Sequence, residues 1–275
     1  SAYAVGVYDN ANDTWTNYTS STVGGAGNFD IGRGYQMASV SGGTGILKFS
    51  GTAASTTQTQ AIIENNLANS GAGRRWNLVA NPFPSYINGN DDAHSTNNFL
   101  TVNASKLDDS FLAIYGYDAD GTGYTAYNHT YNSNSAVRIA PGQAFMVASD
   151  NTSSDNLSFT NAMRTIVGGD DLIVGDDIYD SQEVVIKLYN DNTIIEEARF
   201  YFEDGLTLGL NPGYDAGAYN QSAAIMSRLV EEDEGIGFVI NAMGTESMNS
   251  AIIPLVINQE ASQDFRVVLF THTIP

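Results

Sequence analysis

The chain has 275 residues and carries 11 Lys and Arg against 31 Asp and Glu, a formal charge of −20. That balance argues against nucleic acid, whose phosphates are held by clustered cations, and against docking on anionic lipid. With no cysteine, disulfides, thiolate metal centres and cysteine nucleophiles are excluded, while 42% apolar and 11% aromatic residues suffice for a substantial core.

The dominant hydrophobic period is two. In chain order it predicts strands at 45–50, 76–80, 111–117, 143–148, 183–189, 197–203, 236–241, 251–257 and 265–270. Within 183–189, Val184, Ile186 and Leu188 share one face, with Glu183, Lys187 and Tyr189 on the other. Within 197–203, Ala198, Phe200 and Phe202 oppose Glu197, Arg199, Tyr201 and Glu203. Such alternation predicts antiparallel strands with one wet face. Turn signals separate most of the strands, among them Asp120-Gly121, Pro141-Gly142 and Asn190-Asp191-Asn192. Segments 58–68 and 222–230 also fit short helices. No apolar run approaches the roughly 20 residues of a membrane-spanning helix. The expected fold is all-β, an antiparallel β-sandwich or jelly-roll-like arrangement in two packed β-domains, 1–165 and 166–275. The boundary is drawn where Gly168-Gly169-Asp170-Asp171 and Asp176-Asp177 concentrate glycine and charge.

The strongest local motif runs from Arg75 to Ser85, RWNLVANPFPS. Trp76, Leu78 and Ala80 alternate as an inward face. Pro82 and Pro84 then end the strand, since each lacks a ladder donor and keeps the preceding residue extended. A rigid corner holding Phe83 is expected, with a peptide- or sugar-binding edge as the alternative.

This motif is one of five blocks in a fixed order. The others are Gly32-Arg33-Gly34-Tyr35 with 47–51, Ile114-Tyr115-Gly116-Tyr117, the stretch Ile139 to Val147 (IAPGQAFMV), and Phe159 to Arg164. Together they resemble a region of secreted Bacteroidetes proteins exported by the type IX secretion system. Departures from that pattern are small: Ala80 and Ala144 stand where glycine is usual, and Phe83 where tyrosine is. The carboxy-terminal sorting domain of such proteins is missing here, so the resemblance implies a mature or trimmed piece of a longer precursor. It further implies an extracellular or cell-surface location, and it brings no catalytic site.

Chemistry-bearing constellations are sparse. His94 lies in Asp91-Asp92-Ala93-His94-Ser95, a polar loop without the elbow or zinc spacing of a hydrolase, and the remaining histidines are His129 and His272. Glu196, Glu197 and Glu203 belong to an alternating strand, where an exposed face explains them. Calcium suits oxygen-rich, glycine-bearing loops. Its weak candidates are Asp118 and Asp120 in a hairpin-like turn, Asp170 and Asp171 at the boundary, and the Asp9–Asp13 loop; no cofactor is required. Sugar binding would use Trp15, Tyr18, Tyr124 and Tyr127, with Tyr35 and Tyr131 also weighed, against the reading that these aromatics are core. The sequence therefore reads as a non-catalytic extracellular β-module: a stalk, scaffold or adhesin element. Two alternatives stand beside it, a polysaccharide-binding accessory module of a degradative enzyme and a self-assembling surface fibre subunit. Expected partners are other domains of the same precursor, polysaccharide or neighbouring copies.

Overall fold

The computed structural model describes residues 3–19, 27–39, 50–65, 72–117, 123–129, 136–150, 154–168, 182–259 and 264–272. The chain is all-β. Strands β1 (Tyr3–Asp9), β2 (Thr14–Asn17) and β3 (Gln36–Ser39) form a small antiparallel sheet in the order β2-β1-β3. Strand β4 (Gln58–Ile62) pairs with β11 (Asp155–Phe159), and β6 (Tyr86–Asn88) sits between β9 (Arg138–Ile139) and β12 (Arg164–Thr165). A four-stranded sheet runs β5 (Trp76–Ala80), β10 (Ala144–Ala148), β7 (Ile114–Tyr117), β8 (Tyr124–Tyr127).

The largest sheet lies in the second half. It contains β13 (Glu183–Asn190), β14 (Thr193–Phe202), β15 (Ala216–Gly217), β16 (Ile225–Ser227), β17 (Phe238–Met243), β18 (Leu255–Ile257) and β19 (Arg266–His272), with main order β18-β16-β17-β14-β13-β19. Pairing is antiparallel except for β14 beside β17. A parallel pair needs a long crossover, and the chain between those strands supplies it, carrying β15 and β16.

The two segments that also fitted helices contain strands. Gln58–Ile62 is zipped against Asp155–Phe159 over its whole length, and Ile225–Ser227 is paired on both sides, so ladder pairing overrides a weak local preference. The one α-helix among the described residues, α1 (Phe99–Asn103), was not foreseen. Asn98 caps it by accepting from the Thr101 N–H, and Phe99 and Leu100 are buried. One turn is too short for a 3.6-residue period to declare itself. Residues 45–49 of the first expected strand lie outside the described residues.

The described parts of the five motif blocks meet in space. Strand β10 from the PGQAF block pairs with β5 from the WNLVANP block, with Ala144 opposite Ala80 and Ala148 opposite Trp76. On the other side of β5, the Ala80 N–H donates to the Gly32 carbonyl and the Gly34 N–H to the Leu78 carbonyl. Gly34 is needed there, because a Cβ would sit 3.0 Å from the Val79 carbonyl oxygen and collide with Leu78. Phe83 is buried as expected, under the Arg164 guanidinium 5.2 Å from its ring centre.

What fixes the corner goes beyond its prolines. The buried Asn81 amide donates to the carbonyls of Ser85, Ile139 and Ala140 at 2.8–3.0 Å, and its oxygen accepts from the Phe83 N–H. One side chain thus satisfies the backbone groups that two prolines leave without ladder partners.

Three cores result. The first gathers Phe99, Phe145, Phe159, Ile87 and Leu157. The second joins Trp76, Phe111, Tyr115 and Met146 to Ala216 and Ile240, so it draws on residues from both sides of position 166. A third, around Leu188, Phe200, Ile225 and Met243, lies within the second half.

The expectation of one wet face fails for β14. Its Ala198 and Phe200 face the third core as predicted, but Tyr201 packs on the second core and Arg199 is buried. With both faces covered, the charges on this strand must pair internally. Arg199 bonds Glu183 at 3.3 Å and also Glu197, and Lys187 bonds Glu197 at 3.0 Å. The exposed-face reading of Glu196 fails as well, since it is largely buried and accepts from the Ala224 N–H.

Candidate functional site

The most distinctive surface is an aromatic row reaching from the second core to solvent. Its inner end is Trp76, fully buried, with the Tyr219 ring 4.4 Å away. Tyr219 stacks on Tyr124 at 4.1 Å, and Tyr124 meets Tyr117 edge-on at 5.2 Å. Tyr8 packs against the same core as Tyr219 and Tyr124, and Trp15 is 5.4 Å beyond it. Tyr117 and Trp15, the outer members, are 55% and 38% exposed.

Strand geometry explains the assembly. Tyr8 and Trp15 are direct cross-strand partners on β1 and β2, and Tyr117 and Tyr124 are direct partners on β7 and β8. Rings at such positions meet face or edge across an antiparallel pair. Tyr219 comes from the loop after β15 and bridges the two hairpins.

The hydroxyls are tied down. Tyr8 donates to Asp13 at 2.6 Å, and Tyr124 and Tyr219 bond to each other. Burial, more than any neighbouring charge, pushes the hydroxyl pKa values of Tyr8, Tyr124 and Tyr219 upward, so all three stay neutral donors. Asp13 has a left-handed backbone, φ 52°, which Asp tolerates better than most residues.

Beside the row opens a cleft of about 430 Å³, lined by Val7, Tyr8, Asp9, Thr16, Arg33 and Gln60 among others. Its inner wall is sealed by an amide knot in which Asn10 donates to the Ile63 and Arg74 carbonyls and receives the Asn65 amide, while the Asn77 oxygen accepts from the Ile63 N–H.

A second polar cluster lies where the halves meet. His129 Nδ1 is 3.0 Å from Asp91 Oδ1, which also accepts from Asn98 at 2.8 Å and Thr101 at 2.7 Å. The His129 N–H donates to the Gly213 carbonyl, and a Cβ on Gly213 (φ 82°) would strike the imidazole. Burial and the charges of Asp91 and Glu203 raise the neighbouring Asp92 carboxyl to about 6. Asp91 Oδ1 is shared by Asn98, Thr101 and His129, and the cluster reads as a brace between the halves. Sequence reasoning missed this pairing because 38 residues separate its members.

The predicted site residues are placed unevenly. Trp15 and Tyr124 fall on the aromatic row, and the core reading of Trp15 is overturned because all of β2 is exposed. Tyr18 lies just past β2, half-buried, with its N–H bonded to the Val5 carbonyl. Tyr127 is buried in the first core. Asp118, Asp120, Asp170 and Asp171, along with Tyr131, lie outside the described residues. In the Asp9–Asp13 loop the carboxylates are occupied by the loop's own donors: Asp9 accepts from the Ala11 N–H and the Asn12 amide, and Asp13 from Tyr8. Among the described residues no three His, Cys, Asp or Glu side chains gather in a way suited to a metal ion. His94 braces its turn, Nδ1 accepting from the Asn97 N–H at 3.1 Å. Tyr8, Tyr117 and Tyr219, missed as members of the row, had one signal in common, a tyrosine beside a turn or on a hairpin arm.

Comparison with known families bears on the chain as a whole. The sequence profile of one family, described as a domain of unknown function (DUF8693), matches residues 3–272. The chain belongs to that family. Its span runs without a break across position 166. No curated protein and no solved structure matches the chain.

Proposed function

We propose that this DUF8693 chain is a non-catalytic extracellular or cell-surface β-module of a secreted bacterial protein, serving as a stalk, scaffold or adhesive element. One observation carries the reading. The described parts of the five blocks that resemble exported Bacteroidetes proteins occupy the β5 corner and its ladders, where Asn81, Gly34, Phe83 and Arg164 act on backbone and packing. What such proteins would share is then a rigid build, with individual activities placed elsewhere in each precursor. A charge of −20 suits a module that must stay soluble and avoid indiscriminate association. The test is fractionation of the producing cells, probed with antiserum to this chain. The antigen is expected on the cell surface or in the culture supernatant, and confinement to the cytoplasm refutes the proposal.

Assembly into a fibre is a second reading, favoured by the edges of the large sheet. On the edge strand β19, Val267 and Leu269 are 43% and 59% exposed, and on the opposite edge Leu255 and Ile257 of β18 are exposed too. Apolar residues on uncovered edges invite strand pairing. Sedimentation velocity should then show self-association that Leu269→Lys abolishes; a monomer at all concentrations discards this reading.

A further inference from the structure

We propose that the aromatic row from Trp15 to Tyr117 is the binding platform for an uncharged polysaccharide chain. The inference deepens the extracellular reading above and rests on it for the supply of such a ligand, while the binding itself is a property of the purified chain.

The row presents flat ring faces interrupted by polar groups. On β2 the exposed Asn17 shares Trp15's face and accepts from the Gln36 amide, and the row's inner rings carry hydroxyls. Alternation of this kind matches a pyranose, whose C–H face stacks on an aromatic ring while its rim of hydroxyls seeks amides and hydroxyls. The rings are also held in place before any ligand arrives. Tyr8 is anchored by Asp13, and Tyr219 is wedged between Trp76 and Tyr124. A pre-set platform loses little side-chain freedom on binding.

Charge selects among ligands. With 31 acids against 11 bases, uronate-rich or sulfated polymers are repelled. A protein partner would also want a continuous apolar patch, whereas here two exposed rings are set apart among tyrosine hydroxyls and an asparagine. An uncharged glycan meets neither obstacle.

The chain has two tryptophans, and Trp76 is 1% exposed. Emission quenched by iodide therefore reports Trp15. The experiment is affinity electrophoresis of the full chain in gels containing soluble β-glucan, xylan, mannan or starch, with polygalacturonate as the charged control, paired with iodide quenching. The expected result is retardation by at least one neutral polymer, none by polygalacturonate, and protection of Trp15 from iodide by the retarding polymer. Trp15→Ala and Tyr117→Ala should each lose about tenfold or more in affinity with melting temperature unchanged, and Trp15→Phe should retain part of it.

Lack of retardation in all four neutral gels overturns the proposal. So does full binding by Trp15→Ala, or protection of Trp15 that rises with protein concentration in the absence of polysaccharide, since that would make a second copy the occupant. Retardation by a protein found only in the cytoplasm would leave the site standing and remove the extracellular reading, so the two failures are distinguishable.

Discussion

Gly217 is one point where the halves press closely on one another, and adding a single methyl group there tests whether they share a core. In Gly217→Ala the new Cβ would lie 2.6 Å from Cδ1 and 2.9 Å from Cζ of Phe111. Ordinary carbon contacts are about 3.5–4.0 Å, so the ring must retreat by roughly an ångström. It has little room to do so. Trp76 meets Phe111 edge-on at 5.6 Å, the Arg75 guanidinium lies 4.3 Å from the ring centre, and Arg75 is itself tied to Asp108. Overpacking of this kind costs about 1–3 kcal/mol, and the pinned ring places the variant at the upper end. At roughly 2–4 °C per kcal/mol for a chain of this size, the melting temperature should fall by about 6–12 °C.

Scanning calorimetry on a double-mutant cycle separates the clash from other effects. With Phe111→Ala already in place the added methyl meets a cavity, so Gly217→Ala should then be neutral or slightly stabilising, giving a coupling of about 3 kcal/mol. If Phe111→Ala fails to fold, Phe111→Leu serves the same purpose with a smaller coupling. A single-variant shift below about 1 °C, or strict additivity in the cycle, refutes the shared-core argument.

Other expectations follow from the same geometry. Burial raises the Asp215 carboxyl to about 7 despite the backbone donors of Ala242 and Asn211. The folded chain therefore binds the extra proton between the ordinary carboxyl range and about pH 7. The stability this group contributes is complete below about pH 4 and is lost as pH rises toward 7. Urea midpoints across that window should decline less steeply in Asp215→Asn than in the parent, and an unchanged slope counts against the assignment. Asn81→Ala removes its amide from the buried Ile139 carbonyl and the half-buried Ser85 and Ala140 carbonyls, and should cost about 2–4 kcal/mol in urea unfolding. Arg199→Ala withdraws the guanidinium from buried Glu183 and should cost about 3–5 kcal/mol; a loss below about 1 kcal/mol would mean that the strand face is wetter than its burial indicates. Calorimetry of the parent should give one cooperative transition, because the second core contains residues from both halves, and two resolved transitions would refute that coupling.

Period-two patterning was enough to name the class and to place most long strands, because alternation is a property of the chain itself. Strands β5, β10, β13 and β14 fall within a few residues of where Trp76, Phe145, Val184 and Phe200 indicated. Proline chemistry likewise announced the corner at Phe83. Alternation cannot say what will cover each face. Arg199 and Tyr201 read as a wet face, yet Arg199 is buried and Tyr201 lies against the other half of the molecule. Trp15 read as core, yet its strand ended at the rim of a small sheet.

The candidate site was legible only in fragments. Trp15 and Tyr124 could be suspected singly, but their common row depends on Tyr219, about a hundred residues or more from either, and on two hairpins brought side by side. Sequence by itself determined which residues alternate, where the backbone must turn and what sign of charge the surface carries, since all three arise from bonds and side chains within a few positions. Tertiary structure alone decided which rings meet, which charges are buried in pairs and which edge is left to solvent. Those outcomes depend on burial, and burial is a relation between segments distant along the chain.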